Sequence, residues 1–276
     1  MKFLIEVLSV ACLFVFCACE AQAASYDRLY VFGDSYSDNG AGYLDGNGPT
    51  AVAYLAKRMN IPFTHSHDPK ANDQGISFAV TAASSGAGDG RDIGGLMLAV
   101  GMLNQVEDFA QRVRSGKIKF DPKTTLFFIE GGLNDSDTPA KFTTDNLRRE
   151  IEILKSVGAR HITIAILPTR VPDFRDTAMK LNPAYREMVP VLRKELKIDI
   201  QLNRFGEYID DILDHPARYG ITETSKACAG RALFEEDTTP CATPDTYFYY
   251  HGSHPSTAVN KIVGDKLYME IIGRKR

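Results

Sequence analysis

The chain has 276 residues, is 44% hydrophobic, and carries a formal net charge of −3. That is enough apolar material for one sizeable domain, and the slightly acidic balance argues against a nucleic-acid partner. No repeat, low-complexity tract or long charge run divides the chain, and the basic Arg274-Lys275-Arg276 reads as a solvated tail.

Residues 1–23 differ from the rest. Lys2 supplies a positive start, 7–19 is apolar, and Ala21-Gln22-Ala23 fits a small-residue cleavage site. This reads as a secretory signal peptide preceding a single domain over 24–276, and it is too short to span a membrane. Lipid attachment at Cys19 is the alternative, but Phe16-Cys17-Ala18 is a poor lead-in for it. The expected location is therefore secreted or periplasmic, with no integral membrane segment. Cys12, Cys17 and Cys19 would leave with the signal. Cys228 and Cys241 remain, an even count that argues for one disulfide in an oxidising compartment. Zinc binding by this pair would lack the C-x-x-C spacing.

In chain order, 28–32 reads as a first strand. Residues 50–59 read as a helix with Val52, Leu55, Ala56 and Met59 on one face, and 76–80 as a second strand. The Gly-, Ala- and Ser-rich stretch 82–95 reads as loop, and 98–113 as a helix. Residues 125–130 are continuously apolar up to Glu130, as suits a parallel strand covered on both faces. A helix over 145–157 turns Leu147, Ile151 and Leu154 inward, and 161–167 is a further buried strand ended by Pro168. The helical pattern over about 179–195 contains Pro183 and Pro190, which should limit its regularity. A fifth strand at 198–202 and helices at 205–213 and 256–271 complete the pattern. Strands alternating with helices imply an α/β fold. The expected form is a three-layer α/β/α sandwich around a mostly parallel five-stranded sheet.

The chemistry concentrates in four short blocks. Val31 to Gly40 read VFGDSYSDNG, and Ser35 follows the first strand where such folds place their sites. A serine after Gly-Asp is more often a turn or cap, but it becomes a nucleophile where a base reaches it. Gly131-Gly132-Leu133-Asn134-Asp135 follows the third strand, and His254-Pro255-Ser256 lies near the C-terminus. Asp214-His215-Pro216-Ala217-Arg218-Tyr219-Gly220 precedes the two cysteines.

Taken in this order, the blocks resemble the GDSL or SGNH hydrolase family of serine esterases and lipases, over nearly the whole chain from about Tyr26. The resemblance implies Ser35 as nucleophile and His254 as its base. It implies an oxyanion hole made by the Ser35 N–H, the Asn134 amide and a third N–H at a family glycine position. That position falls on Ala82 within 77–83, or on Gly86 if the loop is shifted. An Asx turn is the structural alternative for Asn134. His65, His67, His161 and His215 read as surface, loop or structural. No metal and no organic cofactor is implied, and the substrate would be a lipid, aryl or acylated-sugar ester. The oligomeric state is not legible.

One departure stands out. The family's last block is D-x-x-H, and here it reads His251-Gly252-Ser253-His254. A triad carboxylate holds the imidazole tautomer and stabilises the imidazolium. Its replacements could be a backbone carbonyl or water in a Ser–His dyad, which is preferred, an acid such as Asp237 or Asp245, or His251 itself. A metal on His251 and His254 lacks further ligands, and Pro255 argues against a helix through the pair. The missing acid also leaves open a degenerate domain that binds acyl or glycan ligands without turnover. A flavodoxin-like cofactor module would need a G-x-G-x-x-G loop after the first strand, which is lacking.

Overall fold

The computed structural model describes residues 26–273. In chain order the elements are β1 (Arg28–Gly33), α1 (Ala51–Arg58), β2 (Thr64–His65), β3 (Gly75–Ser77), β4 (Asp89–Ile93), β5 (Leu96–Val100) and α2 (Met102–Arg114). Then follow β6 (Thr125–Glu130), α3 (Ala140–Ser156), β7 (His161–Ala165), α4 (Arg175–Leu196), β8 (Asp199–Asn203) and α5 (Phe205–Asp214). The last are β9 (Glu223–Ala227), β10 (Tyr247–His251), β11 (His254–Pro255) and α6 (Thr257–Ile272). The signal peptide and the cysteines at 12, 17 and 19 lie outside the described residues.

The central sheet has the order β2-β3-β1-β6-β7-β8, and every pairing in it is parallel. The five expected strands are all present as neighbours. The sheet is six-stranded because the two-residue β2 adds an edge too short to leave a periodic signal. Helices α2, α3 and α4 pack side by side, as do α1, α6 and α5, which gives the two helical layers. Tyr30, Phe32, Phe127, Phe128 and Phe109 are fully buried between them. Side chains at both faces are covered, which is why these strands read as apolar runs rather than as alternation. A Cβ on Gly264 of α6 would lie 2.6 Å from the Ala51 carbonyl, so this glycine permits the close approach of α1 and α6.

Three local expectations need correction. Residues 82–95 are not all loop, because β4 and β5 form an antiparallel hairpin in which Ile93 faces Leu96. Gly94 and Gly95 at its tip have φ of 62° and 86°, the conformation a two-residue hairpin turn requires. Leu98 belongs to this hairpin, so α2 begins only at Met102. Helix α4 runs unbroken for 22 residues through Pro183 and Pro190. Burial of Leu181, Tyr185, Val189 and Leu192 offsets the hydrogen bonds the prolines remove.

A second small sheet, β11-β10-β9, carries the C-terminal block. Beside it Cys228 and Cys241 form a disulfide. Among the described residues no helix is long and apolar enough to cross a membrane.

Candidate active site

The strand order reverses at β1, whose neighbours are β3 and β6. The carboxyl end of β1 is therefore the switch point where open α/β sheets gather their ligands. Ser35 stands just past that end. Gly33 has to be glycine, because a Cβ there would lie 2.1 Å from the Glu130 carbonyl on β6. The buried amide of Gln105 clamps the strand end, accepting from the Gly33 N–H at 3.0 Å and donating to the Gly33 carbonyl at 2.9 Å.

Asp38 organises the loop that follows. Its carboxylate accepts from the N–H groups of Gly40 (2.8 Å), Ala41 (2.9 Å), Tyr43 (3.1 Å) and Thr81 (2.8 Å). One buried carboxylate thus joins the loop after β1 to the segment carrying Ala82. Asp135 does the same for the third block, accepting from the Ser85 N–H at 3.2 Å and the Thr143 hydroxyl at 2.7 Å. Lys180 closes this loop from α4, donating to the carbonyls of Asp135, Ser136 and Thr138.

The blocks converge. His254 Nε2 lies 2.7 Å from Ser35 Oγ, and both residues are buried. Ser35, Ala82, Asn134 and His254 line one cavity of about 400 Å³. Of the two positions considered for the third donor, Ala82 lines this cavity and Gly86 does not. Ala82 has φ of 65°, a left-handed conformation that favours glycine, which is the residue the family pattern carries there. The Asn134 amide donates to the Ala83 carbonyl at 2.9 Å, which aims the side chain beside that loop. The cavity walls come from the hairpin (Arg91, Ile93, Leu98), the turn at Asp173 and Phe174, and the segment carrying Arg231 and Phe234. Apart from Leu98, these fall in 82–96, 170–180 and 221–250, the regions expected to shape the pocket.

The imidazole is held by packing. Tyr36 and Phe174 present their rings to it at centroid distances of 5.4 and 6.4 Å. The Tyr36 hydroxyl donates to the Ser253 carbonyl at 2.6 Å, and the Ser253 hydroxyl bonds the Asp173 carboxylate. Ser256 caps α6 by accepting from the Val259 N–H, fixing the chain just after His254. His251 and His254 face each other across a tight turn between β10 and β11 rather than along a helix.

Of the side chains foreseen as replacements for the missing acid, none bonds His254. Its Nδ1 has no hydrogen-bond partner among the described residues. Asp237 and Asp245 are exposed and outside the cavity lining. His251 Nδ1 is also unpartnered. The foreseen backbone carbonyl has a counterpart in that of His251, which is turned toward His254 and favours the charged ring. Sequence reasoning missed Asp45, which lies 3.8 Å from His254 Nε2 through Oδ2. Only its place ten residues after the serine could have marked it, since no periodic or motif signal does.

Burial governs the electrostatics. It pushes His254 down to about 3, assisted by Arg231 and His251, so the ring is neutral in the resting site. It pushes Asp45 up to about 6, against the pull of Arg231. Deeper in, burial raises Asp34 to about 7 and Glu130 well above the usual carboxylate range. Glu130 also accepts from the Ser37 hydroxyl at 3.0 Å. Outside the site, His67, His161 and His215 serve local contacts, with Ala41, Asp199 and Asp211.

A family model described as GDSL-like Lipase/Acylhydrolase matches residues 29–267. The chain belongs to this family. Among curated relatives, a GDSL esterase/lipase of Arabidopsis thaliana is 22% identical, with 82% of this chain and 73% of that protein aligned. The GDSL esterase/lipase EXL6 of the same plant is 23% identical over 97% of each chain. A lipolytic protein of the G-D-S-L family from Veillonella parvula aligns over 90% of this chain and 98% of its own. It has 16% identity and a TM-score of 0.46. Membership in this family of GDSL esterase/lipase hydrolases implies an ester substrate.

Proposed function

We propose that the protein is an exported serine hydrolase that cleaves carboxylic esters of lipids, aryl alcohols or acylated sugars through an acyl-enzyme on Ser35. The observation that carries this reading is the 2.7 Å contact between His254 Nε2 and Ser35 Oγ inside the cavity. A neutral histidine at hydrogen-bond distance is what a serine hydroxyl needs to become a nucleophile.

In the first half-reaction Ser35 Oγ bonds the acyl carbon while its proton passes to His254 Nε2. The carbonyl oxygen becomes an oxyanion facing the Ser35 N–H, the Ala82 N–H and the Asn134 amide. Collapse breaks the bond to the alcohol, which leaves with the proton from His254. Water then attacks the acyl-Ser35 ester while His254 takes its proton; collapse breaks the acyl–Oγ bond, His254 returns the proton to Ser35 Oγ, and the carboxylic acid is released. Every step uses groups of this chain and water.

Export is supported by the leader-like residues 1–23 and by the Cys228–Cys241 disulfide. The unpartnered Nδ1 of His254 favours a second reading, a degenerate domain that binds acyl or glycan ligands without turnover. A fluorophosphonate probe separates the two, because labelling requires an activated serine. Labelling of the native protein that is lost in Ser35→Ala supports the hydrolase. An unlabelled native protein with no turnover of p-nitrophenyl esters supports the binding domain.

A further inference from the structure

Asp45 belongs to none of the four sequence blocks, yet it lines the cavity with Ser35 and His254. Its side chain is 1% exposed, and neither carboxylate oxygen has a hydrogen-bond partner among the described residues. Three groups that can carry positive charge surround it. Arg231 Nη1 lies 3.7 Å and His251 Nδ1 3.9 Å from Oδ1, and His254 Nε2 lies 3.8 Å from Oδ2. A buried carboxylate without hydrogen bonds is normally retained only against charge. In the resting site Arg231 supplies one such charge. A second arises at His254 only when it takes the Ser35 proton.

We propose that Asp45, held as an anion by Arg231, is the positioning residue that compensates the His254 imidazolium during ester cleavage, in place of the aspartate missing from the D-x-x-H block. The inference rests on the assignment of Ser35 and His254 above. It differs from a triad in geometry. The charge stands on the Nε2 side, near the proton in transit, and makes no bond to Nδ1. Tautomer and ring orientation are left to Tyr36, Phe174 and the β10–β11 turn. Asp45 accepts no proton. It stabilises the state in which Ser35 has lost one and His254 has gained it.

The pH dependence follows from the groups that face the pair. Asp45 meets Asp38 and Tyr43 of its own loop, Arg231 after β9, and His251 and His254 of the C-terminal turn. His254 also meets Tyr36 after β1 and, through Ser253, Asp173. As pH falls, Asp45 is neutralised near 6, before His254 itself titrates. Activity should therefore decline through an acid limb near pH 6 that belongs to Asp45.

The test compares native protein with Asp45→Asn in p-nitrophenyl acetate hydrolysis from about pH 4.5 to 9, which spans the Asp45 titration and stays above that of His254, with fluorophosphonate labelling in parallel. Asp45→Asn should lower kcat on the order of 100-fold with little change in KM, and the limb near pH 6 should vanish. A variant with native kcat and an unmoved limb overturns the inference, while labelling of native Ser35 would leave the hydrolase reading intact. A native protein that neither labels nor turns over ester overturns both. Should Asp45→Asn fold poorly, the labelling rate of the native protein decides: a fall near pH 6 supports Asp45, and a flat rate down to pH 4.5 overturns it. Arg231→Gln should move the limb upward, since the guanidinium holds Asp45 ionised; an unmoved limb counts against the pairing.

Discussion

Asn134 Nδ2 donates to the Ala83 carbonyl at 2.9 Å, so the amide proposed to bind the oxyanion is anchored to the loop that carries the third donor. One N–H of Asn134 is spent on holding the side chain in place, and the other is free of that bond. Such preorganisation is what makes a donor effective in the transition state, because it does not have to be ordered during the reaction. Asn134→Ala should therefore lower kcat on the order of 100-fold or more and leave KM nearly unchanged. Steady-state kinetics on a p-nitrophenyl ester measure this, and an effect confined to KM would contradict the oxyanion role.

Ala82 keeps a backbone conformation that costs an L-residue about 1 kcal/mol. Ala82→Gly should retain activity within about threefold, since only the main-chain N–H is used, and should not lower the melting temperature. Ala82→Val, β-branched at the same φ, should lose stability. Thermal melts and kinetics on the two variants check both halves. Equal stability of all three proteins would mean that the left-handed conformation carries no cost.

His251 stands where the family's aspartate is expected, but its ring does not bond His254. His251→Ala should keep activity within about tenfold, roughly 1.4 kcal/mol in the barrier. His251→Asp should maintain or raise it, because a carboxylate stabilises an imidazolium better than a neutral ring does. A loss on the order of 100-fold in the alanine variant would make His251 the orienting group.

Glu150 on α3 is fully buried, and both its carboxyl oxygens lack hydrogen-bond partners among the described residues. Burial raises it well above the usual carboxylate range. The folded state therefore holds this proton more tightly than the unfolded chain does. Its contribution to stability is fully present below the unfolded value near 4 and fades as pH rises toward the folded value. Glu150→Met, similar in volume, should stabilise the protein by on the order of 1–3 kcal/mol, more at pH 8 than at pH 5. Denaturant titrations at the two pH values test this, and a destabilised variant at pH 8 would give Glu150 a partner not seen here.

The disulfide closes a short loop between Cys228 and Cys241, worth roughly 3 kcal/mol in the chain-entropy model. Alkylation of denatured, unreduced protein should find no free thiol among the described residues. Cys228→Ser should lower the unfolding free energy by about that amount. Two alkylatable thiols in exported material would remove the pairing and weaken the export proposal.

How much of this was legible in the residues depended on the range of the interaction. Apolar runs such as 125–130 and periodic faces such as Leu147, Ile151 and Leu154 report local geometry directly, so the strands, the helices and their α/β alternation could be read from the chain. The motif residues Ser35, Asn134 and His254 could be named because each sits at a strand end or helix start whose position is local. The Gly94–Gly95 hairpin was also legible in principle, since paired glycines between apolar residues mark a two-residue turn. What the tertiary structure alone decided is which charged groups lose their water. Asp45, Asp38, Glu130 and Arg231 look like ordinary polar residues in sequence. They gain their roles only when β1, the 77–83 segment and the C-terminal turn meet at one sheet edge. Burial there removes solvent screening, and the Asp45 carboxylate stands 3.8 Å from His254, a residue far from it in sequence.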